Sequence, residues 1–156
     1  MRLSAVLAVF VVACGGGQPK AEGPKSEKLS AGEKCIRDAN VKQTPPLDAP
    51  QRIDVAHILI KHDQVKGAVK ENITRTREAA CLRALEAREF VLSSNDWEAA
   101  YKKYSDGGGA TEGVLSGIAQ GDTEAAFSNA AFSLKVDEIS HVVETPRGFH
   151  IILRKQ

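Results

Sequence analysis

The hydrophobic pattern of the chain is strongest between residues 51 and 156, where apolar runs alternate with polar loops. From Val55 to Ile60 apolar side chains stand at both odd and even positions, which is typical of a strand covered on both faces. Residues 149–153, Phe-His-Ile-Ile-Leu, have the same character. The two runs therefore predict neighbouring strands in the interior of a sheet.

Two helices are predicted after the first strand. Thr76 can cap the first helix, which runs to about Leu92 and carries one apolar stripe: Cys81, Ala84, Leu85, Val91 and Leu92. Residues 93–95, Ser-Ser-Asn, are expected to end it and to cap a second helix. In that second helix four residues recur at helical spacing: Trp97, Ala100, Tyr101 and Tyr104.

The C-terminal third predicts a short strand, a helix and two final strands. The short strand holds Val114 and Leu115, and Asp122 or Thr123 can cap the helix that carries Phe127. Residues 145–148, Thr-Pro-Arg-Gly, suit a tight turn between the last two strands. The order is β-α-α-β-α-β-β, and the fold class is α+β.

The N-terminus predicts an export signal over residues 1–13. Arg2 precedes an apolar run, Leu3 to Val12, that is too short to span a membrane as a helix. Residues 11–15, Val-Val-Ala-Cys-Gly, resemble a bacterial lipobox, which is cut before a Cys that then receives a lipid. The alternative is an ordinary signal peptide with an incidental Cys. We expect Cys14 to anchor the protein in the bacterial cell envelope, and Gly15, which is not acidic, favours the outer membrane, facing the periplasm.

Residues 14–50 are expected to form a flexible tether before a domain at 51–156. The segment is rich in Gly, Lys, Glu, Pro and Ser and has few large apolar residues that could offset the entropy of ordering. Within it, residues 33–37 can form a short helix, and Pro45, Pro46 and Pro50 favour extended backbone.

Charge and cysteine spacing exclude several classes of partner. The chain has 21 Lys and Arg against 20 Asp and Glu, with no basic cluster, so nucleic acid is not an expected partner. The three Cys residues match no metal-binding spacing, and no metal site is expected. Two alternatives stay open for Cys35 and Cys81: a disulfide formed in an oxidising compartment, or an exposed Cys35 and an inert, buried Cys81.

Five motifs in order resemble the parvulin family of peptidyl-prolyl isomerases. They lie at residues 55–62, 73–76, 104–106, 131–134 and 148–152, and the match covers nearly all of 52–155. The resemblance implies a four-stranded antiparallel sheet wrapped by three to four helices. It also implies rotation about Xaa-Pro bonds without a cofactor.

The resemblance assigns most site residues. It places Leu115, Thr123 and Phe127 in the pocket for the Pro ring, although the family usually has Met where this chain has Thr123. It places His57 and His150 side by side beneath the site. We expect these histidines to hydrogen-bond each other, with the Thr145 hydroxyl as a further partner, and to act as scaffolding more than in proton transfer.

One polar position departs from the family pattern. The family has Cys or Asp two residues after the Ser matched by Ser105, whereas this chain has Gly107. A loop one residue shorter than usual would bring Asp106 into that catalytic place; alternatively, Asp106 is a loop residue that makes a turn. The Lys residues at 61, 66 and 70 lie where one branch of the family recognises phosphate, or they form a solvated face.

These expectations lead to two functions. The first is a peptidyl-prolyl isomerase that assists the folding of exported proteins, with unfolded or extended Pro-containing polypeptides as partners and the membrane reached through the lipid anchor. The alternative is a non-catalytic binding module for the same segments, which the departures at Thr123 and Gly107 favour.

Overall fold

The computed structural model describes residues 28–68, 71–108 and 113–156, so the predicted signal and lipid site, with Cys14, lie outside the described residues. The elements are α1 (Ala31–Ala39), β1 (Ile53–Ile60), α2 (Arg77–Ser94), α3 (Trp97–Tyr104), β2 (Val114–Ile118), α4 (Ala125–Ser133), β3 (Val143–Thr145) and β4 (Gly148–Arg154). From β1 onward this is the predicted order. None of the helices in these ranges has the length and hydropathy needed to cross a membrane.

The four strands form one antiparallel sheet in the order β2-β1-β4-β3, which confirms that β1 and β4 are neighbours at its centre. Side chains alternate between the two faces along β1. Ile58 and Ile60 pack in a cluster with α1, α2 and α3, whereas Ile53 and Val55 pack in a cluster with α4. Apolar residues occur at both parities because both faces of these strands are covered.

Helix α2 differs from its predicted stripe. Thr76 caps it as expected, accepting from the Ala79 N–H at 3.2 Å. The buried residues, however, are Ala80, Cys81, Ala84, Ala87 and Val91. Leu85 and Leu92 are 36% and 52% exposed. Small side chains form the buried stripe and allow close packing, so the large leucines remain outside it.

The junction between α2 and α3 also differs from the prediction. Asn95 ends α2 in the left-handed conformation, with φ of 53°. Asp96, and not the preceding Ser-Ser-Asn, caps α3 by accepting from the Ala99 N–H at 2.9 Å. The two helices therefore meet through one left-handed residue and one carboxylate cap.

Helix α1 lies within the segment that was expected to be a tether, and it contains the short helix predicted for residues 33–37. Ser30 and Glu33 form a capping box at its start, and Cys35 and Ala39 are buried. Cys35 is bonded to Cys81 of α2, with their Cα atoms 6.0 Å apart, so the structure contains the disulfide alternative. A Cβ on Gly32 would lie 2.6 Å from the Glu78 Cβ, which shows how closely the helices approach. The folded part therefore extends N-terminal of residue 51.

The residue that caps α4 was predicted wrongly, whereas the tight turn between β3 and β4 was predicted correctly. Glu124 occupies the cap position without a side-chain hydrogen bond. The Asp122 carboxylate is used in the preceding turn, where it accepts from the Ala119 N–H at 2.8 Å. Between β3 and β4 the turn ends at Gly148, with φ of +130°, where a Cβ would lie 2.4 Å from the Ile60 carbonyl oxygen.

Candidate active site

Two adjacent cavities open beside β1. The small cavity, about 210 Å³, is lined by His57, Leu115, Asp122, Thr123, Glu124, Phe127, Arg147 and His150. The large cavity has a volume of about 670 Å³. Its lining residues come from β1 and the loop that follows it, from α3 and the loop that follows it, from β2, and from the turn between β3 and β4. His57, Leu115 and Arg147 line both cavities. These three side chains form the wall where the two cavities meet.

The small cavity brings together the three residues predicted to line the pocket for the Pro ring. Leu115 comes from β2, Phe127 from α4, and Thr123 from the turn before α4. Phe127 is only 2% exposed, so its ring is fixed by the surrounding core. The Thr123 hydroxyl is buried and has no hydrogen-bond partner among the described residues. The cavity therefore has an apolar wall with one uncompensated hydroxyl.

His57 and His150 lie on the same face of the sheet, but they do not bond to each other. In the strand register His57 is opposite Ile152 and His150 is opposite Leu59, so the histidines are diagonal neighbours. Their ring centroids are 5.5 Å apart, and the Nδ1 atoms of both rings have no hydrogen-bond partner among the described residues, which corrects the predicted mutual hydrogen bond. The predicted partner Thr145 is in place, with its Oγ1 2.8 Å from His150 Nε2. The edge-on contacts of Phe127 fix both rings, at centroid distances of 5.4 and 5.2 Å.

Both imidazoles are neutral near pH 7. Burial lowers the pKa of His150 to about 3, and the nearby His57 and Arg147 add to that effect. Burial also lowers the pKa of His57, with Arg147 contributing in the same direction. Groups that stay neutral in this way suit scaffolding of the cavity floor, as predicted, and not proton exchange with a ligand.

Folding stability should fall as the pH drops from about 6.5 toward 3. The His150 imidazole binds a proton in the unfolded chain in this range but not in the folded one, and the pKa values of His57, His62 and His141 are lowered in the same direction. His150 alone should cost about 2 kcal/mol between pH 7 and pH 5. Urea unfolding at the two pH values measures it. His150→Asn should remove that share, and an unchanged pH dependence in this variant would contradict the assignment.

Asp106 is not in the position that the shorter-loop hypothesis gave it. Its carboxylate accepts from the Lys61 N–H at 2.8 Å and forms an ion pair with Arg75, and it lines neither cavity. The Asp106 and Arg75 side chains are 15% and 27% exposed. Asp106 therefore ties the loop after α3 to the end of β1 and to the residues before α2. In the sequence Arg75 was noted only as part of a motif, so this long-range partner was missed.

Replacing Asp106 by Asn should weaken folding and not the chemistry. The variant leaves the half-buried Arg75 without its anion, which should lower the free energy of unfolding by about 1 to 3 kcal/mol. The rate of Xaa-Pro isomerisation per folded molecule should stay within about twofold. Arg75→Gln should show the same pattern. A large loss of rate with unchanged stability in Asp106→Asn would instead place the carboxylate in the reaction.

Among the described residues of the loop after α3, those that line the large cavity are Ser105, Gly107, Gly108 and Gly113, and none of these is acidic. Ser105 Oγ accepts from the Leu59 and Gly107 N–H groups at 3.3 and 3.1 Å, and the Tyr101 hydroxyl donates to the Gly107 carbonyl at 3.0 Å. At Gly113, φ is +80° and a Cβ would lie 2.2 Å from the His57 carbonyl oxygen, so only Gly fits. The role of Tyr101 could not be seen in the sequence, where it counted as part of an apolar stripe.

The cationic residues around the site have different surroundings. Lys61 and Lys66 line the large cavity, where Lys61 forms an ion pair with Glu71, and Lys70 lies outside the described residues. Arg147 Nε donates to Glu124 Oε1 at 2.7 Å. In the sequence Arg147 appeared only as a turn residue; its place between the last two strands was the signal that could have identified it.

A clamp outside the cavities holds β3. Glu144 accepts two hydrogen bonds from Arg77, at 2.5 and 2.6 Å, and one from Asn40 of the α1 cap at 2.5 Å. Burial acts to raise the pKa of Glu144, but these donors hold it below its usual value. Since Thr145 is the next residue, the clamp fixes the strand that supplies the His150 partner. Nothing in the sequence pattern pointed to it.

The described part of the chain contains no cluster of His, Cys, Asp or Glu side chains that could hold a metal ion. His62 packs against Phe149, with ring centroids 5.9 Å apart, and is not a partner of His57. Leu115 and Phe127 give the small cavity an apolar wall, and the two histidines, with Thr145 bonded to His150, give it a fixed polar side. Such a site can hold and orient a small ring.

Comparisons with known proteins show which family has this sequence and fold. Residues 57–156 match the model of the rotamase family, described as a PPIC-type PPIase domain. The chain is 32% identical over 141 residues to the peptidyl-prolyl cis-trans isomerase pin1 of Schizosaccharomyces pombe, covering 85% of this chain and 80% of that protein. It is 29% identical over 137 residues to the foldase protein PrsA 3 of Bacillus anthracis, covering 86% of this chain and 39% of that protein. The structure of the peptidyl-prolyl isomerase ESS1 from Candida albicans matches with a TM-score of 0.60 and 26% identity, over 78% of this chain and 71% of that chain.

Proposed function

The chain belongs to the PPIC-type, or parvulin, family of peptidyl-prolyl cis–trans isomerases, and from this we propose that it isomerises Xaa-Pro bonds during the folding of exported proteins. The observation that carries the proposal is the small cavity, where Leu115 and Phe127 form an apolar wall beside two neutral imidazoles, the buried His150 and the half-buried His57. The similarity to a protein named as a foldase supports the folding role.

The geometry suits rotation about a peptide bond. The barrier is about 18 to 20 kcal/mol because resonance stiffens the C–N bond, so a catalyst must favour the twisted amide over both planar forms. Phe127 and Leu115 hold the Pro ring while the residue before it lies in the large cavity. Fixing the ring leaves the carbonyl side as the part that rotates, and the apolar wall excludes water. No covalent bond breaks, and the step needs no cofactor.

A non-catalytic binding module is the second candidate. The observation that favours it concerns the two described residues at the expected Cys or Asp position: Gly107 has no side chain, and the Asp106 carboxylate is bound to Arg75 and to the Lys61 N–H. Such a module would hold the same Pro-containing segments without changing their rate of isomerisation.

A protease-coupled assay with an Ala-Pro peptide separates the two functions. The isomerase should accelerate the slow cis-to-trans phase in proportion to protein concentration, and a chelator should have no effect. A binding module would suppress aggregation of an unfolded protein while leaving that phase unchanged. The uncatalysed phase takes tens to hundreds of seconds at 25 °C, which is slow enough to measure by manual mixing.

The cellular site is part of the proposal and rests on the sequence alone. A lipid on Cys14 would place the domain at the surface of the cell envelope, most simply at the outer membrane facing the periplasm, where exported chains fold. Detergent partitioning of the wild-type protein and of Cys14→Ala tests it. Wild-type protein that stays in the aqueous phase with an unmodified thiol would refute the anchor.

A further inference from the structure

The wall shared by the two cavities marks where a rotating Xaa-Pro bond would lie. If the Pro ring fills the small cavity and the preceding residue lies in the large one, the bond between them crosses the residues common to both. Those residues are His57, Leu115 and Arg147. Leu115 has no polar group, and the neutral imidazole of His57 carries a single N–H, with Nδ1 buried and without a partner. Among the described residues of this wall, Arg147 therefore supplies most of the hydrogen-bond donors and the charged ones.

The Arg147 side chain is mostly exposed, but one contact holds it near the small cavity. It is 71% exposed, so the rest of the protein does not lock it, while the 2.7 Å contact with Glu124 at the start of α4 holds its Nε near the small cavity. Its backbone is fixed separately, since the Arg147 N–H donates to Thr145 Oγ1 at 3.1 Å. The guanidinium has five N–H donors, so one bond to Glu124 leaves others for a ligand.

Twisting an amide creates an acceptor that the planar form lacks. In the planar bond the nitrogen lone pair is delocalised into the carbonyl, whereas in the twisted bond it is localised on nitrogen and can accept a hydrogen bond. A donor at this place therefore stabilises the transition state more than either planar state, which is the condition for catalysis. A cationic donor makes this kind of hydrogen bond stronger.

We propose that Arg147 is a catalytic residue that donates a hydrogen bond to the prolyl nitrogen of the twisted Xaa-Pro bond, with Glu124 as its positioning residue. The inference rests on the proposed isomerase function. In this role Arg147 gives the site a polar group, whereas Gly107 has no side chain and the Asp106 carboxylate is already bound to Arg75 and the Lys61 N–H. No proton is transferred, since the guanidinium remains charged throughout.

The test measures kcat and KM separately for the full chain at about pH 8, where the imidazoles are neutral with or without Arg147. Two peptides are used, one with Ala and one with Glu before Pro. Arg147→Gln should lower kcat by about tenfold or more with both peptides and leave KM within about twofold, because the bond forms only in the transition state. Arg147→Lys should restore part of the loss. Glu124→Gln should lower kcat by a smaller factor, since the donor is no longer aimed.

Two control variants distinguish a directed hydrogen bond from general positive charge. Arg37→Gln makes the same charge change on the exposed surface of α1 and should leave kcat unchanged. Lys66→Gln removes a cation that lines only the large cavity. The proposal is overturned if Lys66→Gln lowers kcat as much as Arg147→Gln, because general positive charge then accounts for the effect. It is also overturned if Arg147→Gln raises only the KM of the Glu-Pro peptide, because Arg147 then binds side-chain carboxylates.

The same assay separates this inference from the function on which it rests. A wild-type chain that accelerates neither peptide overturns the isomerase function and the role of Arg147 together. An active wild-type chain with an equally active Arg147→Gln variant overturns the role of Arg147 alone. The thermal unfolding midpoint of each variant shows that any loss of kcat is not a loss of folded protein.

Discussion

Replacing Cys35 and Cys81 together by Ala should lower the free energy of unfolding by about 4 kcal/mol. The bond joins residues 46 positions apart, so it restricts a large loop of the unfolded chain. Without it, α1 is a nine-residue helix held by small buried side chains and by the Asn40–Glu144 contact. A helix this short is marginal alone. The thermal unfolding midpoint should fall by at least about 10 °C.

The wild-type protein with reductant is the matched control, because it loses the bond and keeps both sulfur atoms. Reductant should lower the midpoint of the wild type toward that of the double variant and leave the variant unchanged. Equal midpoints with and without reductant would contradict the prediction. Alkylation of the unfolded, non-reduced wild type gives an independent check, since Cys35 and Cys81 should remain unlabelled.

The central strands could be predicted from the sequence, whereas the extent of the folded part stayed open, because it depended on whether Cys35 and Cys81 form a disulfide. In β1 and β4 large apolar side chains at both parities have one simple cause, burial on both faces. In α1 the buried residues are Gly32, Cys35 and Ala39, which a search for large apolar residues passes over. The helix is stabilised by its partner, through the bond to Cys81, and not by its own composition.

The candidate site shows the same division. Most of the residues named from the resemblance lie together in the structure, because strand alternation and motif order can be read from the sequence itself. The contacts between them depend on register and on distant partners. His57 and His150 are diagonal and not direct neighbours on the paired strands β1 and β4, so their rings do not bond. The ion pair with Arg75 holds the Asp106 carboxylate outside the cavity. The paired Arg147 and Glu124 come from two loops that are 23 positions apart, and no sequence period relates them.

Phe127→Ala should cause the largest loss of isomerase activity, about a hundredfold in kcat/KM. The ring is 2% exposed and forms the apolar wall of the small cavity, so its removal takes away the surface against which a Pro ring would be held. Burial of apolar surface by a side chain of this size contributes about 1.5 to 3 kcal/mol, and each 1.4 kcal/mol is about tenfold. The ring also fixes His57 and His150 by edge contacts, so both imidazoles gain freedom in the variant.

Phe132 offers a control on the same helix. It is 1% exposed and belongs to the same core cluster as Phe127, but it lines neither cavity. Either Phe→Ala change should cost about 3 to 5 kcal/mol of stability, so milder Phe→Leu variants are compared as well. Phe127→Leu should lower kcat/KM by about tenfold, whereas Phe132→Leu should stay within about twofold once the folded fraction is equal. Equal losses in the two Leu variants would mean that Phe127 acts through folding, because the two changes differ in whether they reach the cavity.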